Sequence, residues 1–210
     1  RALTEAVETN NIDQVRKILA TGPRLNNDPM AAKLCMFAAL HGYADIMIEL
    51  LTSGVSPDVR GGFGQTVLMC AVEGGHDSTV TSLLGLQSLE EVAYNSPLII
   101  NAFTTDKFPV NALMMATRSG KLNIVQHLLL AGADPTLAST QSNTRMITPL
   151  EFAASNDELT HILELLIQAI NRLHPDYMAH DIPAKLAFVE AVKNKNVSAT
   201  RLLYNAGVRA

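Results

Sequence analysis

Tryptophan is absent from this 210-residue chain, and Phe and Tyr bring the aromatic content to only 5%. With 48% hydrophobic residues, that scarcity fits thin layers packed by Ala, Leu, Ile and Met better than one thick core built around large rings. Cysteine is nearly missing as well. Cys35 and Cys70 alone make no disulfide framework, so the expected compartment is intracellular and reducing, the cytoplasm included. Charged residues make up 17%, with a net charge of −4, which gives no reason to expect nucleic acid or an anionic membrane as partner. No apolar run approaches the ~20 residues that cross a bilayer, and the opening residues lack the pattern of a secretory signal. The charge is uneven: residues 1–106 carry 6 basic and 12 acidic side chains, residues 107–210 carry 10 and 8. Solvated surface explains that gradient, and a partner that reads it is the alternative.

A short pattern does recur. Aligned on the small residue that opens each copy, the anchors are Ala6, Ala38, Ala71, Ala116, Ala153 and Ala191, spaced 32, 33, 45, 37 and 38 residues apart. A period near 33 with occasional insertions marks a helical repeat array rather than an enzyme with one central core. Sixteen residues after the anchor stand Gly22, Gly54, Gly132 and Gly207, whereas the third and fifth copies have Gln87 and Ala169 there. Both exceptions precede long or irregular connections.

Each copy reads as two short antiparallel helices followed by an extended loop. In the third copy Thr66 is the expected N-cap of a helix over about Val67–Val72, Gly74-Gly75 turns the chain, and a second helix runs over about Asp77–Leu84 with Val80, Leu83 and Leu84 inward. The second copy shows the matching stripe of Ile46, Met47, Leu50 and Leu51. In the fifth, Pro149 follows Thr148, where a missing N–H costs nothing at a helix start. The expected copies are 1–27, 28–60, 61–105, 106–142, 143–180 and 181–210, together one domain. The spacing leaves about 12 extra residues before Ala116, in the stretch Ser88–Thr105 with its Pro97-Leu98-Ile99-Ile100. Either that insertion packs back on the stack, or it projects toward a partner. The chain begins at Arg1 without an initiator Met and ends three residues after Gly207, so a segment of a longer protein is expected. On that reading the last helix, with Leu202 and Tyr204, is exposed or covered by further sequence.

The residues resemble those of ankyrin repeats over nearly the whole chain. The family's helix-opening Thr-Pro-Leu is matched by Thr148-Pro149-Leu150 and loosely by Thr66-Val67-Leu68, its Gly-His turn by Gly75-His76, and its terminal Gly-Ala-Asp by Gly132-Ala133-Asp134. One departure is systematic. The histidine that follows Thr-Pro-Leu in the family is replaced by Thr4, Met36, Met69, Met114 and Glu151, so flexible apolar packing is expected where the family has a Thr–His hydrogen bond. The resemblance implies an all-α fold, an ankyrin-repeat solenoid of stacked helix-turn-helix units with extended loop tips. It also implies that partners meet the tips and the exposed ends of the first helices. Those positions are Met30 and Ala32 with Leu40 and His41; Phe63, Gln65 and Glu73; Lys107, Phe108, Val110, Arg118 and Ser119; Thr144, Arg145, Ile147, Ser155 and Asn156; and Lys185, Lys193 and Asn194. Phe63, Phe108 and Arg118 are expected to share one side of adjacent copies and to anchor a partner. Each Phe tucked against its own loop is the alternative.

Catalytic arrangements fare worse. Cys35 with His41, and Cys70 with His76, hint at a thiol enzyme, yet both cysteines fall at inward positions where a thiol is a small hydrophobe. His174, Asp176, His180 and Asp181 lack the tight pairing of a zinc site. Gly61-Gly62-Phe63-Gly64 lacks the Lys and spacing of a phosphate-binding loop. No catalytic residue, metal or cofactor is assigned, and His76 is read as a structural turn residue. The expected function is a protein-interaction module or scaffold that acts as a monomer on a protein partner, without nucleic acid or membrane. Two alternatives stand beside it: an enzyme with its site in the repeats or the insertion, and a targeting domain for a catalytic domain outside this chain.

Overall fold

All six anchor alanines, Ala6, Ala38, Ala71, Ala116, Ala153 and Ala191, are 0% exposed. A methyl group at that point lets the first helix of one pair lie close against its neighbour, and the rest of the architecture follows from this contact. The structure, a computed structural model, describes residues 1–22, 24–26, 28–56, 58–85, 97–141 and 145–209. It divides into two compact units, Arg1–Thr105 and Asp106–Ala210.

The first unit holds three helix pairs: α1 (Ala2–Glu8) with α2 (Ile12–Thr21), α3 (Pro29–Leu40) with α4 (Ala44–Thr52), and α5 (Val67–Gly74) with α6 (Asp77–Gly85). First helices stack in the order α1, α3, α5, and second helices in the order α2, α4, α6. Ile46, Met47, Leu50, Leu51, Val80 and Leu83 are buried between the layers as the periodicity predicts, with Leu84 only half-buried. A short helix α7 (Pro97–Ile100) follows, and its Ile99 and Ile100 are buried. These two side chains at the described end of the insertion are covered by protein; residues 88–96 of it lie outside the described residues.

The second unit repeats the scheme with α8 (Ala112–Arg118) and α9 (Leu122–Leu130), α10 (Pro149–Ala154) and α11 (Thr160–Leu173), and α13 (Ile182–Lys193) and α14 (Val197–Asn205). The first helices α8, α10 and α13 again form one layer, and α9, α11 and α14 the other. A 3-10 turn at Asp157–Leu159 and a short helix α12 (Tyr177–His180) fill the connections around α11. Among the described residues, regular strand is confined to one antiparallel ribbon, β1 (Ser139–Gln141) with β2 (Arg145–Ile147), in the register Ser139 to Ile147. Among them, too, no helix is long and apolar enough to cross a membrane.

The turns show the register at the backbone. Four residues after the anchor, Asn10, Gly42, Gly75, Gly120 and Lys195 all have positive φ, between 52° and 78°. One residue later the side chains of Asn11 and Asn196 cap α2 and α14, accepting from Gln14 N–H at 3.0 Å and Ala199 N–H at 2.9 Å. His76 holds the same position in the third copy. Its ring lies directly over Gly42 and Gly74, and a Cβ on Gly74 would also meet the carbonyl oxygen of Leu40. The turn histidine therefore packs one pair on the next. The fifth copy departs at this turn, where the 3-10 turn Asp157–Leu159 stands instead, and again sixteen residues after the anchor, where the 14-residue α11 runs on through Ala169.

Two expectations about the tips are corrected. In the second and sixth copies the first helix starts early, directly after Asp28 and Asp181, each ten residues before its anchor, with Pro29 or Pro183 in the first turn. Met30 therefore rides in the first turn of α3, Ala32 is buried within that helix, and Lys185 sits in the first turns of α13. None of the three is on a loop tip.

Candidate functional site

In the first unit the third tip is a tied-down turn. Gly64 takes φ +75°, Gly61 N–H donates to the Gln65 carbonyl at 2.9 Å, and Arg60 Nη1 donates to the Gly64 carbonyl at 3.3 Å. Gln65 Oε1 accepts from Phe63 N–H at 3.2 Å, and the Phe63 carbonyl accepts from Thr105 N–H at 2.8 Å. Both backbone groups of Phe63 are occupied, and the residue is nonetheless 65% exposed. The ring is thus held out from a fixed backbone rather than folded onto its own loop. At the end of α3, His41 is exposed and lies 4.2 Å from the Phe37 ring and 5.9 Å from the Tyr43 ring, centroid to centroid. Leu40 beside it is half-buried, with its carbonyl against Gly74, so that Glu73, exposed at the end of α5, lies next to this cluster in the stack. Phe37 and Tyr43 escaped the sequence reading, although aromatics four and six residues apart at a helix end were a usable signal.

In the second unit Phe108 is 49% exposed. Asp106 Oδ1 accepts from its N–H at 3.1 Å, and Lys107 Nζ stands 5.6 Å from the ring centroid. Val110 is half-buried. Arg118 and Ser119 are exposed at the end of α8, where the Arg118 cation also complements the helix C-terminus. Other positions are engaged locally. Asn156 caps the 3-10 turn, accepting from Glu158 N–H at 3.0 Å; Ser155 Oγ donates to the Phe152 carbonyl at 2.8 Å. Asn194 Nδ2 donates to the Glu190 carbonyl at 2.9 Å, and Lys193 pairs with the Glu190 carboxylate at 3.5 Å. Arg145 and Ile147 belong to β2, Ile147 half-buried, and Thr144 lies outside the described residues.

The family description "Ankyrin repeats (3 copies)" matches residues 35–139, which is 105 of the 210 residues and runs from within α3 to the start of β1. The chain belongs to the ankyrin-repeat family. No curated protein matches it. The match includes the Phe63 and Phe108 tips, the aromatic cluster at His41 and the Arg118 helix end. Ankyrin repeats are generally protein–protein interaction modules and typically non-catalytic.

The ankyrin pairs also keep their two thiols for packing. Cys35 is fully buried with Sγ 4.0 Å from the Met47 carbonyl, and burial, with Cys70 nearby, holds its pKa well above the ordinary thiol range. Cys70 is pushed up to about 11 by burial and by Glu73. Neither supplies a thiolate near neutral pH. Among the described residues no group of three or more His, Cys, Asp or Glu is placed to hold a metal ion. Where the family has histidine, Met69 and Met114 are buried and Met36 is half-buried with its methyl against Gly61, while Glu151 is buried next to the Thr148 cap.

Proposed function

We propose that this ankyrin-repeat chain binds a protein partner through its loop tips and the exposed ends of its first helices, with Phe63 in the first unit and Phe108 and Arg118 in the second as anchors. One observation carries the reading: at both tips a phenylalanine is exposed while its backbone is held by hydrogen bonds. Burying an exposed ring on a backbone that is already ordered costs little further entropy, and aromatic and Arg side chains are the usual anchors of interfaces.

The test joins affinity to stability. Partners captured from lysate on the wild-type chain are identified, and their Kd is measured for Phe63→Ala, Phe108→Ala and the double variant. A ring that anchors the partner accounts for about 2 kcal/mol, roughly a 30-fold loss of affinity. The melting temperature stays within a degree or two, since the repeat core does not use either ring. Unaltered affinity in the double variant removes the tips as the binding surface, and a large fall in melting temperature shows that the rings are structural.

A further inference from the structure

The end of α3 and the turn after it carry three rings that the stack does not require. Phe37 and His41 are 4.2 Å apart, His41 and Tyr43 5.9 Å, and Phe37 and Tyr43 6.3 Å, centroid to centroid. At the same register positions the first copy has Glu5, Thr9 and Asn11, and the sixth Glu190, Asn194 and Asn196. Asn11 and Asn196 cap the helix that follows them, whereas the side chain of Tyr43 caps nothing. Neither the Tyr43 hydroxyl nor the His41 imidazole has a hydrogen bond or ion pair among the described residues. Two polar groups beside a phenyl ring are thus uncommitted. The position of His41 is exposed in other copies too, at Ser119 and Asn156, so this edge is left open by the stacking itself and not by where a stack ends.

The charge around the rings selects the occupant. The three helix-pair turns of the first unit, residues 8–13, 40–45 and 73–78, hold Glu8, Asp13, Asp45, Glu73 and Asp77, with neither Lys nor Arg. Helix starts do not demand this, because α9 and α14 begin without an acidic residue in the first turn. In the second unit the turns at 118–123 and 193–198 carry Arg118, Lys121, Lys193 and Lys195 instead, and the turn at 155–160 alone is acidic. Arg16, which lies within electrostatic reach of Asp13 and Asp45, is taken up by Glu49 at 2.7 Å. Lys33, one turn before Phe37, is the single cation on α3. We propose that this edge of the first unit binds a basic segment of the protein partner, and that an arginine of that segment stacks on Phe37, His41 and Tyr43. The inference rests on the partner-binding reading above and gives the partner its chemistry. A guanidinium is planar, always charged and weakly hydrated, so it lies on a ring face while its N–H groups donate to the Tyr43 hydroxyl and to a nitrogen of neutral His41. A lysine ammonium feels the same carboxylates but gains less from the rings. An acidic segment or a nucleic acid is repelled by them.

Fluorescence anisotropy of the full chain with labelled 12-residue peptides tests this. One peptide spaces four Arg among Gly and Ser, a second has Lys in their place, and a third has Glu. The Arg peptide is expected to bind about fivefold tighter than the Lys peptide, and the Glu peptide not at all. His41→Ala combined with Tyr43→Phe, which keeps the half-buried ring, brings the two basic peptides to within about twofold of each other. Asp45→Asn combined with Glu73→Gln instead weakens both by about threefold or more and leaves their ratio unchanged. Phe63→Ala and Phe108→Ala leave peptide binding as it is, which separates this edge from the tips. An Arg-to-Lys ratio near one in the wild-type chain, or a ratio that survives His41→Ala with Tyr43→Phe, overturns the proposal. So does binding of the Glu peptide, or sedimentation as a dimer that His41→Ala dissociates. A captured partner that is lost with the two Phe→Ala variants but indifferent to His41→Ala with Tyr43→Phe overturns this inference and leaves the tip reading standing.

Discussion

Gly42 and Gly120 occupy the same register position with nearly the same backbone, φ +78° and φ +69°, and they differ in what surrounds them. A Cβ on Gly42 would meet the His76 ring at 2.7 Å, whereas one on Gly120 would only touch Leu159 Cδ2 at 3.4 Å. Both substitutions by Ala carry the left-handed cost of about 1–2 kcal/mol. Gly42→Ala additionally has to displace the ring that packs the second pair on the third. Urea unfolding is therefore expected to place Gly42→Ala at least 1 kcal/mol below Gly120→Ala, and equal losses would show that the His76 contact contributes nothing. Much of this detail was legible in the sequence. Gly-His at positions 75 and 76 announced the turn, and the two cysteines at inward positions announced buried thiols. That His76 would lie over Gly42 was not, because the contact joins residues 34 positions apart and only the stacking distance creates it.

At the scale of the helix, the first helices of the third, fourth and fifth copies begin on buried polar caps. Thr66, Asn111 and Thr148 accept from the N–H three residues on, at 3.1, 2.8 and 3.3 Å. Removing a cap costs about 1 kcal/mol. Thr66→Ala and Thr148→Ala are each expected to lower stability by about that much, with Thr→Ser retaining most of it, when midpoints of denaturant unfolding are compared. A Ser variant as destabilised as the Ala variant would assign the loss to the missing methyl rather than to the cap. Periodicity gave the pairs and their inward stripes, since an apolar face at helical spacing admits few other readings. It missed the early starts of α3 and α13, although Asp before or near Pro at 28–29 and 181–183 is a start signal. Aligning on the anchors imposed one helix length on every copy. The pairing of β1 with β2 was missed for a different reason: backbone pairing between two three-residue strands leaves no hydrophobic period to read.

Within each unit the helices of one pair pack chiefly on those of the neighbouring pair, so protection against hydrogen exchange is expected to follow position in the stack. In the second unit α10 packs against α8, α11 and α13, whereas α14 packs against α13 and α11. Amides of α14 are expected to exchange before those of α10 when followed by mass spectrometry, and α1 in the first unit before α3. Uniform protection to residue 209 would instead mean that the terminal pair is held as firmly as the interior ones. The candidate surface was only partly legible at this scale. The tips carrying Phe63 and Phe108 followed from the repeat register, while the clustering of Phe37, His41 and Tyr43 at the end of α3 is a property of the folded helix end.

The buried alanine contact has a consequence for how such a chain changes over time. A single bulky substitution at Ala71 or Ala116 presses on a helix that has no room to yield, so these positions resist gradual alteration. A whole helix pair brings its own alanine, its own positive-φ turn and its own cap, and presents the next pair with the same close surface it replaces. Exchange, duplication or loss of complete pairs is accordingly the gentler edit. The tips, which the alanine contact does not constrain, are left free to acquire new side chains each time a pair is copied.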